Sequence, residues 1–211
     1  MTATPLADLL SDARLVAVLT IESVDHAIPL ARALVAGGVR TLEITLRTAA
    51  GAPAAKLIRE KVPQAIVGLG TVTQRRDLEL ARDLELPFAF SPGATVELLD
   101  AAMALGVPFV PGIATASELI QAMIRGYGVV KLFPAEQVGG VGALKAFGGP
   151  FPAMRFNPTG GVTEANMRDY LNLPNVVAVG GSWIAPLADM RAGNWAGIED
   201  RARRAMATLA V

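Results

Sequence analysis

Apolar residues in this chain fall into short, nearly continuous runs, and each run is followed by a longer stretch where they recur at helical spacing. Leu6, Leu9 and Leu10 predict a short opening helix from Ala3 to Ala13, and Leu15 to Ile21 then reads as a buried strand. Asp25 is placed to cap a helix with apolar positions up to Val35, which Gly37-Gly38 ends. Further strands are expected over Val39 to Leu46, Ala65 to Val72, Phe88 to Ser91 and Pro108 to Val110. The helices between and after them run from Ala52 to Lys61, Gln74 to Leu84, Val96 to Leu105 and Ser117 to Arg125. Beyond the run Gly128 to Phe133 come a helix around Val141 to Phe147 and a strand from Met154 to Asn157. A helix capped by Thr163 and ending at Leu171, a strand from Val176 to Trp183 and a terminal helical region rich in alanine and arginine complete the pattern.

That makes eight strand-then-helix units, repeating at roughly two dozen residues. Strands that are apolar along their whole length belong in a parallel sheet covered by helices. The α/β fold expected is a single (β/α)8 TIM barrel over residues 1–211 with a short N-terminal helix. An open doubly wound sheet is the competing architecture. It would carry a glycine fingerprint after its first strand, where this chain has Thr20-Ile21-Glu22-Ser23.

The chain has 211 residues, of which 52% are hydrophobic, enough for a sizeable core. Nineteen basic residues balance nineteen acidic ones, so nothing favours nucleic acid or an anionic membrane surface, and any anionic ligand must be met locally. With no cysteine and one histidine, His26, neither a disulfide nor a metal centre is expected, and no cofactor. The amino terminus lacks a secretory pattern, and the apolar runs are broken before they reach membrane-spanning length, so a cytoplasmic protein with no membrane partner is expected. His26 reads as solvent-facing, Trp195 and Met190 as packing or subunit contacts, and Arg201, Arg203 and Arg204 as a solvated helix face.

Candidate chemistry begins with Lys131, set among Val129, Val130, Leu132 and Phe133. If both faces of its strand are covered, the ammonium is costly to desolvate, and a neutral amine is the form that attacks a ketone to build a Schiff base. An edge strand with an exposed lysine is the plain alternative. In Leu42-Glu43-Ile44-Thr45-Leu46-Arg47, strand alternation puts Glu43, Thr45 and Arg47 on one face, which in a barrel points inward. Glu43 then suits proton transfer and Arg47 a bidentate grip on a carboxylate, unless the two merely pair with each other to hold register.

Glycine and polar residues collect after the strands, where barrel active sites lie. Gly68, Gly70, Ser91 to Gly93, and Pro111 and Gly112 read most simply as turns. Thr159-Gly160-Gly161 and Gly180-Gly181-Ser182 follow the last two strands, where barrels recurrently bind phosphate on glycine amides and a helix N-terminus.

Together, Glu43-Ile44-Thr45-Leu46-Arg47, Gly68-Leu69-Gly70-Thr71, Ser91-Pro92-Gly93, Lys131-Leu132-Phe133-Pro134-Ala135-Glu136, Pro158-Thr159-Gly160-Gly161 and Gly180-Gly181-Ser182-Trp183 resemble the motifs of the bacterial 2-keto-3-deoxy-6-phosphogluconate (KDPG) and 4-hydroxy-2-oxoglutarate (KHG) aldolase family. The resemblance runs in order from the first strand to the last helix. It implies a metal-independent class I lyase of the Entner–Doudoroff pathway that forms pyruvate and glyceraldehyde 3-phosphate, usually as a homotrimer. It also implies roles for single residues: Lys131 as the Schiff-base lysine, Glu43 as general acid and base, and Arg47 and Thr71 at the pyruvate carboxylate. Pro92 and Phe133 would line the pocket, and Gly160, Gly161, Gly181 and Ser182 would hold the phosphate of a phosphorylated ketoacid. Leu132 and Leu69 depart from the family pattern but should face away from Lys131. The related galactonate-derived aldolases differ at the arginine and Ser-Pro-Gly positions. An aldolase for that epimer, or a phosphosugar-binding barrel without a nucleophilic lysine, is the alternative.

Overall fold

Strands of this chain pair in parallel, and a helix follows nearly every one. The computed structural model describes residues 5–209. Helix α1 spans Pro5–Ala13, so Ala3 and Thr4 of the expected opening helix lie outside the described residues. Strands β1 (Leu15–Leu19), β2 (Thr41–Thr45), β3 (Ile66–Gly70), β4 (Ala89–Phe90), β5 (Phe109–Val110) and β9 (Val179–Gly181) form one sheet in the order β5-β4-β3-β2-β1-β9. Strands β6 (Gly112–Ile113), β7 (Val129–Leu132) and β8 (Arg155–Phe156) form a second, in the order β6-β7-β8.

Only Pro111 separates β5 from β6. Proline has no N–H to give to a ladder, but its carbonyl accepts the Lys131 N–H at 2.8 Å. Pro111-Gly112, expected as a turn, is therefore extended chain that passes from one sheet into the other. At the far side, isolated parallel bridges join Phe156 to Val176 and Thr159 to Gly180, linking the neighbourhood of β8 to that of β9.

Strand parity divides the core in two. Leu42 and Ile44 of β2, Leu69 of β3, Leu132 of β7 and Phe156 of β8 face the helices, packing with Leu34 of α2 (Ala27–Ala36), Ile58 of α3 (Gly51–Lys61) and Leu144 of α7 (Gly140–Gly148). The opposite parity, Val16, Phe88, Phe90, Val110, Val129 and Ala178, forms a separate apolar cluster closed by Leu10 of α1. Leu132 and Leu69 thus point away from Lys131, as alternation requires.

Helices α4 (Arg75–Asp83), α5 (Val96–Leu105) and α6 (Ala116–Met123) lie close to expectation, with Thr95 capping α5 and Thr115 and Glu118 forming a capping box on α6. Several details differ. Ser23, not Asp25, provides the capping oxygen, for a short 3-10 turn over Val24–His26 that precedes α2. Helix α8 (Met167–Leu171) starts after Asn166, because Thr163 and Asn166 bond each other's backbone amides in a preceding turn. The terminal region is two helices, α9 (Leu187–Arg191) and α10 (Trp195–Leu209). His26 is half-buried against Trp195, with ring centroids 5.6 Å apart at 64°, and is not simply solvent-facing. Arg203 and Arg204 are exposed, but Arg201 is half-buried and pairs with Asp189 at 2.9 Å. Among the described residues no helix is long and apolar enough to cross a membrane.

Candidate active site

Lys131 and Glu43, 88 residues apart in sequence, meet on the side of the curled strands turned away from the helices. Lys131 Nζ lies 2.8 Å from Glu43 Oε1 and 3.0 Å from Oε2, with only 5% and 1% of the two side chains exposed. Two opposite charges removed from water depend on each other, since the desolvation of either alone is costly. One proton passed from nitrogen to oxygen turns the pair into a neutral amine and a carboxylic acid without creating net charge. The lysine is therefore not the exposed edge residue of the plain alternative, and Arg47 is not the partner of Glu43.

Aromatic rings complete the amine's surroundings. Nζ lies 5.0 Å from the centroid of Phe90 and 5.7 Å from that of Phe133, within the range of cation–π attraction. Phe90 is absent from the residues singled out by sequence; its strand parity with Phe88 was readable, but nothing distinguished it from core. Asn157 was also missed. It is fully buried and lies one register step beyond the Val130–Phe156 pairing, opposite Lys131, with its Oδ1 unpartnered.

The glycines of Gly68-Leu69-Gly70 belong to β3 and make no turn. A Cβ on Gly70 would sit 2.2 Å from Glu43 Oε1, and one on Gly68 would sit 2.1 Å from the Phe88 ring. The missing side chains leave room for the carboxylate and the ring.

Arg47 stands just past the end of β2, exposed, and its Nε donates to Thr71 Oγ1 at 3.2 Å. Thr71 has φ +61°, a conformation that is strained for a β-branched residue and is often found at functional sites. Pro92 is half-buried beside the lysine strand. A Cβ on Gly112 would be 2.3 Å from the Pro92 carbonyl carbon, and Gly112 pairs in register with Lys131. Glu43 and Lys131 thus lie within β2 and β7, and Arg47, Thr71, Pro92 and Phe133 just past the ends of β2, β3, β4 and β7.

Gly160 and Gly161 have φ +97° and +83°, and their loop rests on the segment after β7 through Ala135 N–H to Thr159 O (2.8 Å) and Glu136 N–H to Gly160 O (3.0 Å). The Thr159–Gly180 bridge brings this loop beside Gly181 and exposed Ser182. Neither loop leads directly into a helix, since α8 begins at Met167 and α9 at Leu187. Any anion here would be met by loop amides and the Ser182 hydroxyl, and not by the helix N-terminus the sequence suggested. Among the described residues, no three histidine, aspartate or glutamate side chains come together as a metal would require.

Residues 6–201 match the family described as KDPG and KHG aldolase. A 2-dehydro-3-deoxy-phosphogluconate aldolase of Pseudoalteromonas atlantica is 48% identical over 200 residues, covering 95% of this chain and 93% of that protein. The crystal structure of the KDPG aldolase of Legionella pneumophila, with pyruvate captured at low pH as a covalent carbinolamine intermediate, superposes with a TM-score of 0.91 at 39% identity, covering 95% of this chain and 97% of its own. The Zymomonas mobilis KDPG aldolase with 3-phosphoglycerate gives 0.89 at 38% identity, with 95% and 94% covered. By sequence and fold alike, this chain belongs to the KDPG and KHG aldolase family.

Proposed function

We propose that this protein is a class I aldolase that cleaves KDPG to pyruvate and glyceraldehyde 3-phosphate through a Schiff base on Lys131, and KHG to pyruvate and glyoxylate at the same site. The observation that carries the proposal is the buried Lys131–Glu43 pair, a nucleophile and a proton carrier in direct contact. The Legionella relative holding pyruvate as a carbinolamine supports it.

Proton transfer to Glu43 frees the Lys131 amine, which attacks the ketone carbon. Glu43 then returns the proton to the carbinolamine hydroxyl, which leaves as water, and an iminium forms. Glu43, again a carboxylate, takes the proton of the C4 hydroxyl. The C3–C4 bond breaks, its electron pair flows to the iminium nitrogen as an enamine, and the aldehyde departs. Protonation at C3 and hydrolysis release pyruvate and restore the amine. Arg47, steadied by Thr71, grips the carboxylate, Pro92 and Phe133 wall the pocket, and Gly160, Gly161, Gly181 and Ser182 take the phosphate.

We also read the two sheets as one closed (β/α)8 barrel and residues 1–211 as a single domain. The continuity of β5 into β6 and the bridges between the β8 and β9 regions support this. A cytoplasmic homotrimer completes the reading. Met103 on α5 (56% exposed) and Ile120, Met123 and Ile124 (65% exposed), on or just past α6, offer an apolar face for subunit contact. Ile124→Asp is expected to convert trimer to monomer in size-exclusion chromatography with light scattering, and a wild-type monomer would contradict the assignment.

The direct test follows pyruvate release from KDPG and from KHG, in EDTA, with a lactate dehydrogenase couple. Turnover by wild type and none by Lys131→Ala are expected; wild-type protein inert on both ketoacids would overturn the proposal.

A further inference from the structure

With both of its glycines at positive φ, the Gly160–Gly161 loop has little intrinsic preference for one shape, so its neighbours must hold it. The principal neighbour is Glu136. A Cβ on Gly161 would lie 2.3 Å from Glu136 Cγ and 2.6 Å from its Cβ, so the glutamate stem occupies the space a side chain would need. The Glu136 carboxylate is held in turn. Its Oε1 accepts a short hydrogen bond from the Tyr170 hydroxyl and a second from Asn166 Nδ2 at 3.4 Å. The same Asn166 nitrogen donates to Gly161 O at 3.2 Å, tying carboxylate and loop to one amide.

A carboxylate beside a phosphate site needs such restraint. Left free, it would repel the incoming anion or turn onto the loop amides and compete for them. Two donors on one oxygen fix its direction and offset part of its charge. Tyr170 is fully buried, and burial first, then the adjacent carboxylate, holds its hydroxyl protonated well above the ordinary tyrosine range. It therefore remains a donor at every pH at which the enzyme would work.

We infer that Tyr170 and Asn166, acting through Glu136, are positioning residues that set the Gly160–Gly161 loop for a phosphoryl group and so tune the preference for phosphorylated over unphosphorylated ketoacids, an inference that rests on the phosphate reading of that loop. None of the three touches the reacting atoms; their effect falls on binding of one end of one substrate class.

Steady-state kinetics of Tyr170→Phe on both ketoacids test this. KM for KDPG is expected to rise about two- to tenfold, the range for loss of one hydrogen bond, with kcat unchanged and both constants for KHG unmoved. An equal rise on both substrates, or a fall in kcat on both, would reduce Tyr170 to a packing residue and overturn the inference. So would an unmoved KM for KDPG. If Tyr170→Phe does not fold, Asn166→Ala, at a half-buried position, carries the same expectation and the same contrary outcomes. Ser182→Ala separates the two layers of the argument. A higher KM for KDPG in Ser182→Ala but not in Tyr170→Phe leaves the phosphate loop standing and removes the positioning role, whereas an unmoved KM in Ser182→Ala removes the loop reading itself.

Discussion

Lys131 and Glu43 depend on each other for stability as well as chemistry. Removing one partner of a buried pair leaves an uncompensated charge and costs about 3–5 kcal/mol, while replacing both by neutral groups of similar size is often close to neutral. Lys131→Met is therefore expected to lower the urea midpoint markedly, and Lys131→Met/Glu43→Gln to recover most of the loss. A single variant as stable as wild type would mean that the pair is not desolvated. Both residues were legible in the sequence because strand alternation fixes which way a side chain points. Their contact was not, since alternation says nothing about which strands face each other once the sheets curl. Phe90 beside the amine and the positive φ of Thr71 were hidden for a related reason: each is a consequence of packing that a local pattern of apolar and polar residues does not encode.

At the level of the elements, β3 is shaped around its neighbours. Gly70→Ala would place a methyl group 2.2 Å from Glu43 Oε1, and the flexible end of the glutamate would yield before the backbone did. The expected result is a folded protein whose kcat falls by about a hundredfold, the usual contribution of a positioned acid–base group. Unchanged kcat would show that the carboxylate's position is not critical. A second element, the connection into β7, carries Tyr127, whose hydroxyl donates to Leu99 O at 2.7 Å. Burial pushes this phenol from 10.0 up to about 12. The folded chain thus holds the proton more tightly than the unfolded one, so the associated stability is complete below about pH 10 and fades as pH rises toward 12. Urea midpoints measured from pH 9 to 12 should fall less steeply in Tyr127→Phe, and parallel curves would contradict the assignment. Sequence periodicity located these helices and strands well, because two packed layers impose both a 3.6-residue and a two-residue repeat. It failed at Pro111-Gly112 and Gly68 to Gly70, where proline and glycine read as punctuation although the chain stays extended.

For the molecule as a whole, sequence alone gave the parallel α/β architecture, since eight regular units leave few alternatives. The second core, sealed by α1 and set beneath the amine, emerges only when the strands curl. That apolar floor and the curled strands keep water from the Lys131–Glu43 pair, the condition under which a lysine can serve as nucleophile. The chain has four lysines, Lys56, Lys61, Lys131 and Lys145, so a covalent adduct can be assigned without ambiguity. Incubation with pyruvate and borohydride, followed by intact mass and peptide mapping, is the most direct measurement of the central claim. The account predicts one reduced pyruvyl group, on Lys131, and none on Lys131→Ala; folded wild-type protein that stays unmodified, or carries the group on another lysine, would contradict it.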